Sequence, residues 1–248
     1  MPNPAIFEAV TAAWSKEPAT GRKILDLSCG GGHTSQMLAK LGFQVVATDF
    51  GEPPRMHGVQ RVGGVDLNSF LPFHSESFDA VELVEVIEHI ENQPQLIREI
   101  ARILRPEGVV LISTPNILNV LSRIRFVFTG FLRGRVRPVH YASKPGQAPN
   151  IYLIHFYELY YFFFHYGFQV IELRKTRVKC AALFFTWLLW PLMWLFSLVA
   201  VIHAEKDPVQ RRYNWKILAH FFNPVLLLSD NIVVKAKKNG GREDRSRP

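Results

Sequence analysis

The chain has 248 residues, a formal net charge of +8, two cysteines and 48% hydrophobic residues. That length allows one substantial α/β domain with embellishments and not two full ones. Cys29 and Cys180 supply no disulfide framework, which excludes a stapled secreted module and suits a reducing compartment, and the first residues have neither the basic head nor the long apolar run of a secretory signal. The basic balance calls for an anionic partner, a membrane surface or a nucleic acid.

In chain order, the first informative unit is residues 24–49. Ile24-Leu25-Asp26-Leu27 reads as an apolar strand ending in an acid, Ser28-Cys29-Gly30-Gly31-Gly32 as a tight turn, and the next two helical turns lead to a second strand, Phe43-Gln44-Val45-Val46-Ala47-Thr48, that ends at Asp49. A βαβ unit of this kind makes a nucleotide-sized pocket: the glycines let the backbone approach a ligand, and a carboxylate at the second strand end accepts hydrogen bonds from both hydroxyls of a ribose. The interval between Asp26 and Asp49 suits a ribose-binding acid, which stands roughly 20 residues on. A dinucleotide fingerprint, G-x-G-x-x-G, is absent, because His33-Thr34-Ser35 follows the glycines with no third spaced glycine. Asp26 stands before the turn, where a carboxylate repels a pyrophosphate and attracts an ammonium.

The segment resembles motif I of the class I S-adenosylmethionine-dependent methyltransferases, approximately D-x-G-C-G-x-G, with Ser28 where the first glycine usually sits. The resemblance runs on. Phe78-Asp79-Ala80-Val81-Glu82-Leu83-Val84-Glu85-Val86-Ile87-Glu88-His89-Ile90 looks like the family's fourth strand and the loop leaving it. Pro94 to Leu104 then repeats apolar residues with the period of a buried helix stripe, and Val109 to Ser113 is a short β-rich run before turn residues. Pro53-Pro54 interrupts the place where a second helix should form. The resemblance implies a Rossmann-like three-layer α/β sandwich with a seven-stranded, mainly parallel sheet whose last strand is antiparallel. It implies S-adenosyl-L-methionine as cofactor, with Asp26 and the backbone from Ser28 through Gly30 to Gly32 at the methionine end, Asp49 and Phe50 at the ribose, Asp66 with Leu67 at the adenine, and Glu85 near the sulfonium.

Between Glu107 and Glu158 the sequence has no acid, while Arg123, Arg125, Arg133, Arg135, Arg137 and Lys144 fall in the gap. Ile117, Val120, Leu121, Ile124, Val127 and Phe128 recur at helical spacing, so the first two arginines flank an amphipathic helix. Such a segment suits anionic lipid headgroups, with a solvated basic face as the plainer alternative. Nucleic acid is a weaker partner, since no compact recognition motif accompanies the charge.

Ile154-His155-Phe156-Tyr157-Glu158-Leu159 resembles a segment of small-molecule methyltransferases related to the ubiquinone-biosynthesis O-methyltransferases, where a histidine lies near the acceptor. His155 is therefore a candidate to take a hydroxyl proton, and His89 is its rival; an imidazole can do so near neutral pH. Nothing has metal-ligand spacing, so no metal is expected.

Cys180 to Ala204 is uncharged apart from His203 and holds Trp187, Trp190 and Trp194. A helix of that length reaches about 37 Å against a bilayer core of about 30 Å. Pro191 at its centre predicts a break. Strands at Phe168–Leu173 and Asn231–Ala236 flank the segment, and in one sheet they require the chain to return to the side it left. These features predict an apolar helical hairpin, broken at Pro191 and inserted between the last two strands, dipping into one leaflet with Lys175, Arg177 and Lys179 before it and Lys206, Arg211 and Arg212 after it; a buried cap or a dimer interface is the alternative.

The expected organisation is a methyltransferase domain over 1–174, a hydrophobic insertion over 175–229, a final strand over 230–238 and a polar disordered tail over 239–248. The expected function is methylation, on oxygen, of a lipid, lipid-linked sugar or other membrane-associated small molecule, by a protein peripheral or monotopic on the cytoplasmic side of the cell membrane, or else cytoplasmic. An RNA methyltransferase and a non-enzymatic methyltransferase-like scaffold are the rivals. Ser113-Thr114-Pro115-Asn116 stands where N-methylating enzymes carry an Asn-Pro-Pro-Tyr-type tetrad, which argues against a base amino group.

Overall fold

A computed structural model describes residues 3–132, 152–204 and 206–240. The predicted alternation of strands and helices forms one seven-stranded sheet from β1 (Lys23–Asp26), β2 (Gln44–Thr48), β3 (Val59–Val62), β4 (Phe78–Val84), β5 (Leu104–Pro115), β6 (Phe168–Lys175) and β7 (Asn231–Lys238). Its order is β3-β2-β1-β4-β5-β7-β6. The pairings from β3 through β5 are parallel, and β7 runs antiparallel to both β5 and β6.

Alternate residues of the central strands face opposite layers, as the pleat dictates. Ile24, Val45, Ala80 and Leu111 face α1 (Pro4–Trp14) and α2 (His33–Lys40). Leu25, Val46, Leu83 and Ile112 face α3 (Gln93–Ile103) and α5 (Phe156–His165). Both cores are apolar and closed, so the middle strands are near-continuous hydrophobic runs. Lys235 on β7 is one of the buried charged side chains, 2% exposed. It ties the sheet to α1 by donating to the Ala13 carbonyl at 2.7 Å and to Glu17 Oε1 at 2.9 Å. The chain from Phe50 to Gly58 holds no helix, as Pro53-Pro54 led one to expect.

Between β6 and β7 come α6 (Cys180–Ala204), α7 (Pro208–Phe221) and α8 (Pro224–Leu228). The helical hairpin is there, but the expected break at Pro191 is not: α6 runs through that residue unbroken. A proline removes one N–H from a helix, a modest loss in a 25-residue element whose other bonds remain. The chain reverses instead between α6 and α7, where Asp207 caps α7 by accepting from Val209 N at 2.9 Å and Pro208 opens the first turn. The second arm is also less apolar than the first, since α7 carries Arg211, Arg212 and Lys216.

β6 ends and β7 begins at the same edge of the sheet, Lys175 lying opposite Ile232 and Pro115 opposite Asn231. That is the carboxyl edge, where β1, β2 and β4 also end. Helix α4 (Val120–Thr129) leaves β5 from this edge and packs on α6. Arg133, Arg135, Arg137 and Lys144, and residues 241–248 of the predicted tail, lie outside the described residues.

Candidate active site at the carboxyl edge of the sheet

The turn from Leu27 to Gly32 hangs from its neighbours by the backbone: Leu27 N donates to Glu82 O, and Cys29 N to Thr48 O at 2.8 Å. Asp49 closes it from the side, its Oδ2 accepting from Gly30 N at 2.9 Å and its Oδ1 from Gly51 N at 3.4 Å. The carboxylate is half-buried and retains lone pairs for further donors. Phe50 beside it is 74% exposed, an open aromatic face next to a carboxylate. Gly32, at φ 73°, has Met56 and Pro54 of the following loop packed where a side chain would lie. Only glycine satisfies both the torsion and the contact.

Asp26 stands beneath the turn rather than in its mouth. It is 1% exposed, and its Oδ2 accepts from Ser35 Oγ at 2.5 Å and Thr34 Oγ1 at 3.0 Å. Burial and then the nearby Asp49 charge push its pKa up to about 6, against the lowering effect of the two hydroxyls. Glu82 lies in register with it on β4, fully buried, with Trp14 Nε1 donating to its Oε2. Burial holds Glu82 well above the ordinary carboxylate range, and the Asp26 charge adds to this. Asp66 is exposed and its carboxylate holds its own turn, accepting from Asn68 N at 2.9 Å and Ser69 Oγ at 3.1 Å. Leu67 is buried at 6%.

Two strand ends at this edge are strained. Ser28 at the end of β1 and Glu85 at the end of β4 have φ of 64° and 58°, the left-handed region that disfavours any side chain. Such outliers persist where the surroundings over-determine them, and they cluster at functional sites. Glu85 is gripped on both oxygens, Ser113 Oγ donating to Oε1 at 3.1 Å and Asn231 Nδ2 to Oε2 at 2.8 Å. Sequence reasoning did not assign Asn231; it comes from the last strand, 146 residues away. Nor did it assign Glu88, 1% exposed and bonded by Thr114 Oγ1 at 3.2 Å. Burial, then the Glu85 charge, raise Glu88 to about 8.

His155 stands at the start of α5. It is the N-cap of α5, its Nδ1 accepting from Glu158 N while Glu158 Oε2 accepts from His155 N, both at 3.2 Å. Nε2 lies 3.7 Å from Glu158 Oε1, so in this arrangement His155 caps the helix, a role that the sequence reading did not assign to it. His89 is exposed on the 3-10 turn Ile87–His89 that follows Glu85. No group of three or more His, Cys, Asp or Glu poised for a metal occurs among the described residues.

The donor set suits S-adenosylmethionine: a carboxylate with open lone pairs for a diol, an open aromatic face beside it, backbone amides at a glycine turn and a second held carboxylate. The left-handed serine yields a direct prediction. Ser28→Gly removes the side-chain strain and should raise stability by about 1 kcal/mol, measured by urea unfolding. A loss of stability would show that the Ser28 side chain contributes more than its torsion costs.

Comparison with known proteins agrees with this geometry. Residues 3–173 match a family described as "Methyltransferase domain". A ubiquinone biosynthesis O-methyltransferase of Xanthomonas oryzae pv. oryzae is 34% identical over 123 residues, 46% of this chain and 50% of that protein. A probable S-adenosylmethionine-dependent methyltransferase of Mycolicibacterium smegmatis is 37% identical over 100 residues, 39% of each chain. The chain thus spans about half or less of the length of these curated relatives. Among solved structures, an S-adenosylmethionine-dependent methyltransferase from Mesorhizobium loti shares the fold at a TM-score of 0.55 and 14% identity, over 95% of this chain and 99% of that one. A Burkholderia thailandensis 1,6-didemethyltoxoflavin-N1-methyltransferase with bound S-adenosylhomocysteine does so at 0.55 and 14%, over 96% and 80%. The chain belongs to the methyltransferase-domain family, the class I S-adenosylmethionine-dependent methyltransferases.

Proposed function

We propose that this chain transfers the methyl group of S-adenosylmethionine to an oxygen of a lipid, a lipid-linked sugar or another amphiphile, while lying on the cytoplasmic face of the cell membrane. The observation that carries the membrane part is α6. Its span Cys180–Ala200 has a mean hydropathy of 1.8 and only 11% of that window is buried. Trp187 and Phe196 are 73% and 68% exposed, and Leu183, Phe184, Leu192 and Trp194 are each more than half exposed. An apolar surface this large on a folded chain is unusual without a partner. Burying half of those six side chains in lipid would contribute roughly 5 to 9 kcal/mol.

The geometry favours lying in the interface over crossing it. Both ends of the insertion return to the carboxyl edge of one sheet. Helix α6 rests against the domain, packed on α4, α7 and α8, with the Trp190 and Phe222 rings 4.8 Å apart. Helix α7 has 14 residues, about 21 Å, too short for a core of about 30 Å. Exposed Phe126, Val127 and Phe128 on α4 extend the surface, and tryptophans prefer the headgroup level.

The cofactor supplies an electrophilic methyl on a sulfonium; the protein's part is to bind, align and handle one proton. Asp49 would hold the ribose hydroxyls and Phe50 the adenine face. Asp26 would act from below, through Thr34 and Ser35, by fixing the start of α2. Glu85, held by Ser113 and Asn231, would stand nearest the positive sulfur. His155 and His89 are the base candidates, His89 on an exposed part of this edge. The 34% identity to a ubiquinone biosynthesis O-methyltransferase supports oxygen as the nucleophile.

Two measurements test this. By calorimetry, Asp49→Ala should weaken S-adenosylhomocysteine binding by about 2 to 4 kcal/mol, as two charge-assisted bonds are lost; equal affinity removes Asp49 from the site. In cell fractionation, the protein should stay with membranes through a 1 M salt wash, because salt screens charge and leaves hydrophobic insertion intact. Full recovery in the soluble fraction would make α6 a cap or a dimer face instead.

A further inference from the structure

We propose that Arg123, Tyr157 and Phe221 form a subsite for the phosphate of an amphiphile whose chains lie between α6 and α7. This rests on the membrane reading above and names the chemistry that the acceptor, or a lipid beside it, would bring.

Arg123 sits on the first turn of α4. Its guanidinium carbon lies 4.1 Å from the centroid of the Phe221 ring on α7, and its Nε donates to the Leu118 carbonyl at 2.7 Å. Nη2 is buried and makes no hydrogen bond among the described residues; the hydroxyl of Tyr157, at the start of α5, is likewise buried and unpaired. Burial lowers the guanidinium's pKa, against the opposing pull of Tyr157, and raises the phenol to about 12. At neutral pH the pair is a cation beside a neutral O–H donor.

Two buried donors that lack partners and whose groups interact electrostatically are an expensive arrangement unless something accepts from them. No carboxylate of the surrounding helices can. The sequence has no Asp or Glu from 108 to 157, from 173 to 204 or from 208 to 229, which takes in α4, α6, α7 and α8. Glu158 on α5 is engaged with His155. A cavity of about 270 Å³ is lined by Tyr157, Ser197, Ala200, Asn214, Ile217, Leu218 and Phe221, and Arg123 adjoins it through its stacking on the Phe221 ring. Its walls are thus the start of α5 and the facing sides of the hairpin, the part of the molecule with the largest exposed apolar area.

The chemistry of the missing acceptor follows. An arginine fork and a phenol O–H together suit a phosphate, whose several oxygens accept from both. A nucleic acid would need an exposed basic track, whereas here one stacked arginine is walled by aromatic and aliphatic side chains. An oxyanion carrying an apolar tail satisfies both halves, its head on Arg123 and Tyr157 and its chain along α6. Because α4 and the start of α5 belong to the carboxyl edge, such an amphiphile would be held on the same side of the sheet as Asp49 and Glu85.

The test compares equilibrium binding of three probes to the full-length protein: dihexanoyl phosphatidate, dihexanoylglycerol with the same chains and no phosphate, and inorganic phosphate. Phosphatidate should bind about tenfold tighter than either of the others, the contribution of charge-assisted bonds to one phosphate. Arg123→Met should reduce the preference over dihexanoylglycerol to about twofold or less, and Tyr157→Phe should cost phosphatidate about threefold or more while leaving dihexanoylglycerol unchanged. Equal binding of phosphatidate and dihexanoylglycerol, or a preference that survives both substitutions, overturns the subsite. Inorganic phosphate bound as tightly as phosphatidate overturns the amphiphile and leaves a free-anion site. S-adenosylhomocysteine affinity, measured on each variant, reports folding, and Tyr157→Phe removes one oxygen only, so it carries the test if Arg123→Met does not fold. Wild-type protein that binds phosphatidate selectively but not S-adenosylhomocysteine would refute the methyltransferase reading and leave the subsite standing.

Discussion

The placement of β7 governs the rest of this molecule. It must enter between β5 and β6 and run against both, so the chain leaving β6 has to come back to the edge from which it departed. Everything in the α6–α8 insertion is therefore anchored at both ends to the carboxyl edge, the edge that in open α/β sheets carries the ligand. A 25-residue apolar helix thus belongs to an insertion that starts and ends at that edge, packed on α4, α7 and α8. The same strand delivers Asn231 to Glu85 and Lys235 to Glu17, so the last strand both closes the sheet and completes the site.

Strain and desolvation are concentrated at that edge. Ser28 and Glu85 hold left-handed torsions at the ends of adjacent strands, whereas the other two described non-glycine residues with such torsions lie at the opposite edge, Glu76 in the turn before β4 and Glu107 in the irregular first stretch of β5. Asp26, Glu82, Glu85 and Glu88 all have raised pKa values, with burial as the largest cause in each. Carboxylates at and beneath this edge favour a sulfonium and its ammonium, whose charges in turn make the ionised carboxylates cheaper to keep.

Much of this was legible in the sequence because the signals are local. The glycine turn, Asp26, Asp49 and the β-rich runs of 78–84 and 109–113 state the βαβ order through composition and spacing alone. Two features were less legible, for local reasons. Pro191 is a strong helix breaker by rule, but α6 continues through it, and the Asp207-Pro208 cap is the better reversal signal. His155 followed three residues later by Glu158 is a capping box with an unusual first residue, which hides its capping role from the usual Ser/Thr signature. The Arg123–Tyr157–Phe221 cluster was not legible at all. Its members come from three helices, and only packing brings a guanidinium onto a ring 98 residues further along the chain.

The central claim is that the methyl acceptor is an amphiphile met at a membrane by a site whose mouth is flanked by α4 and α6. It is tested most directly by incubating the purified protein with methyl-labelled S-adenosylmethionine and native membranes, then partitioning the products between chloroform and water. The account predicts label in the chloroform phase with the wild-type protein and none with Asp49→Ala. Label confined to the aqueous phase, in RNA or in small polar molecules, would contradict it.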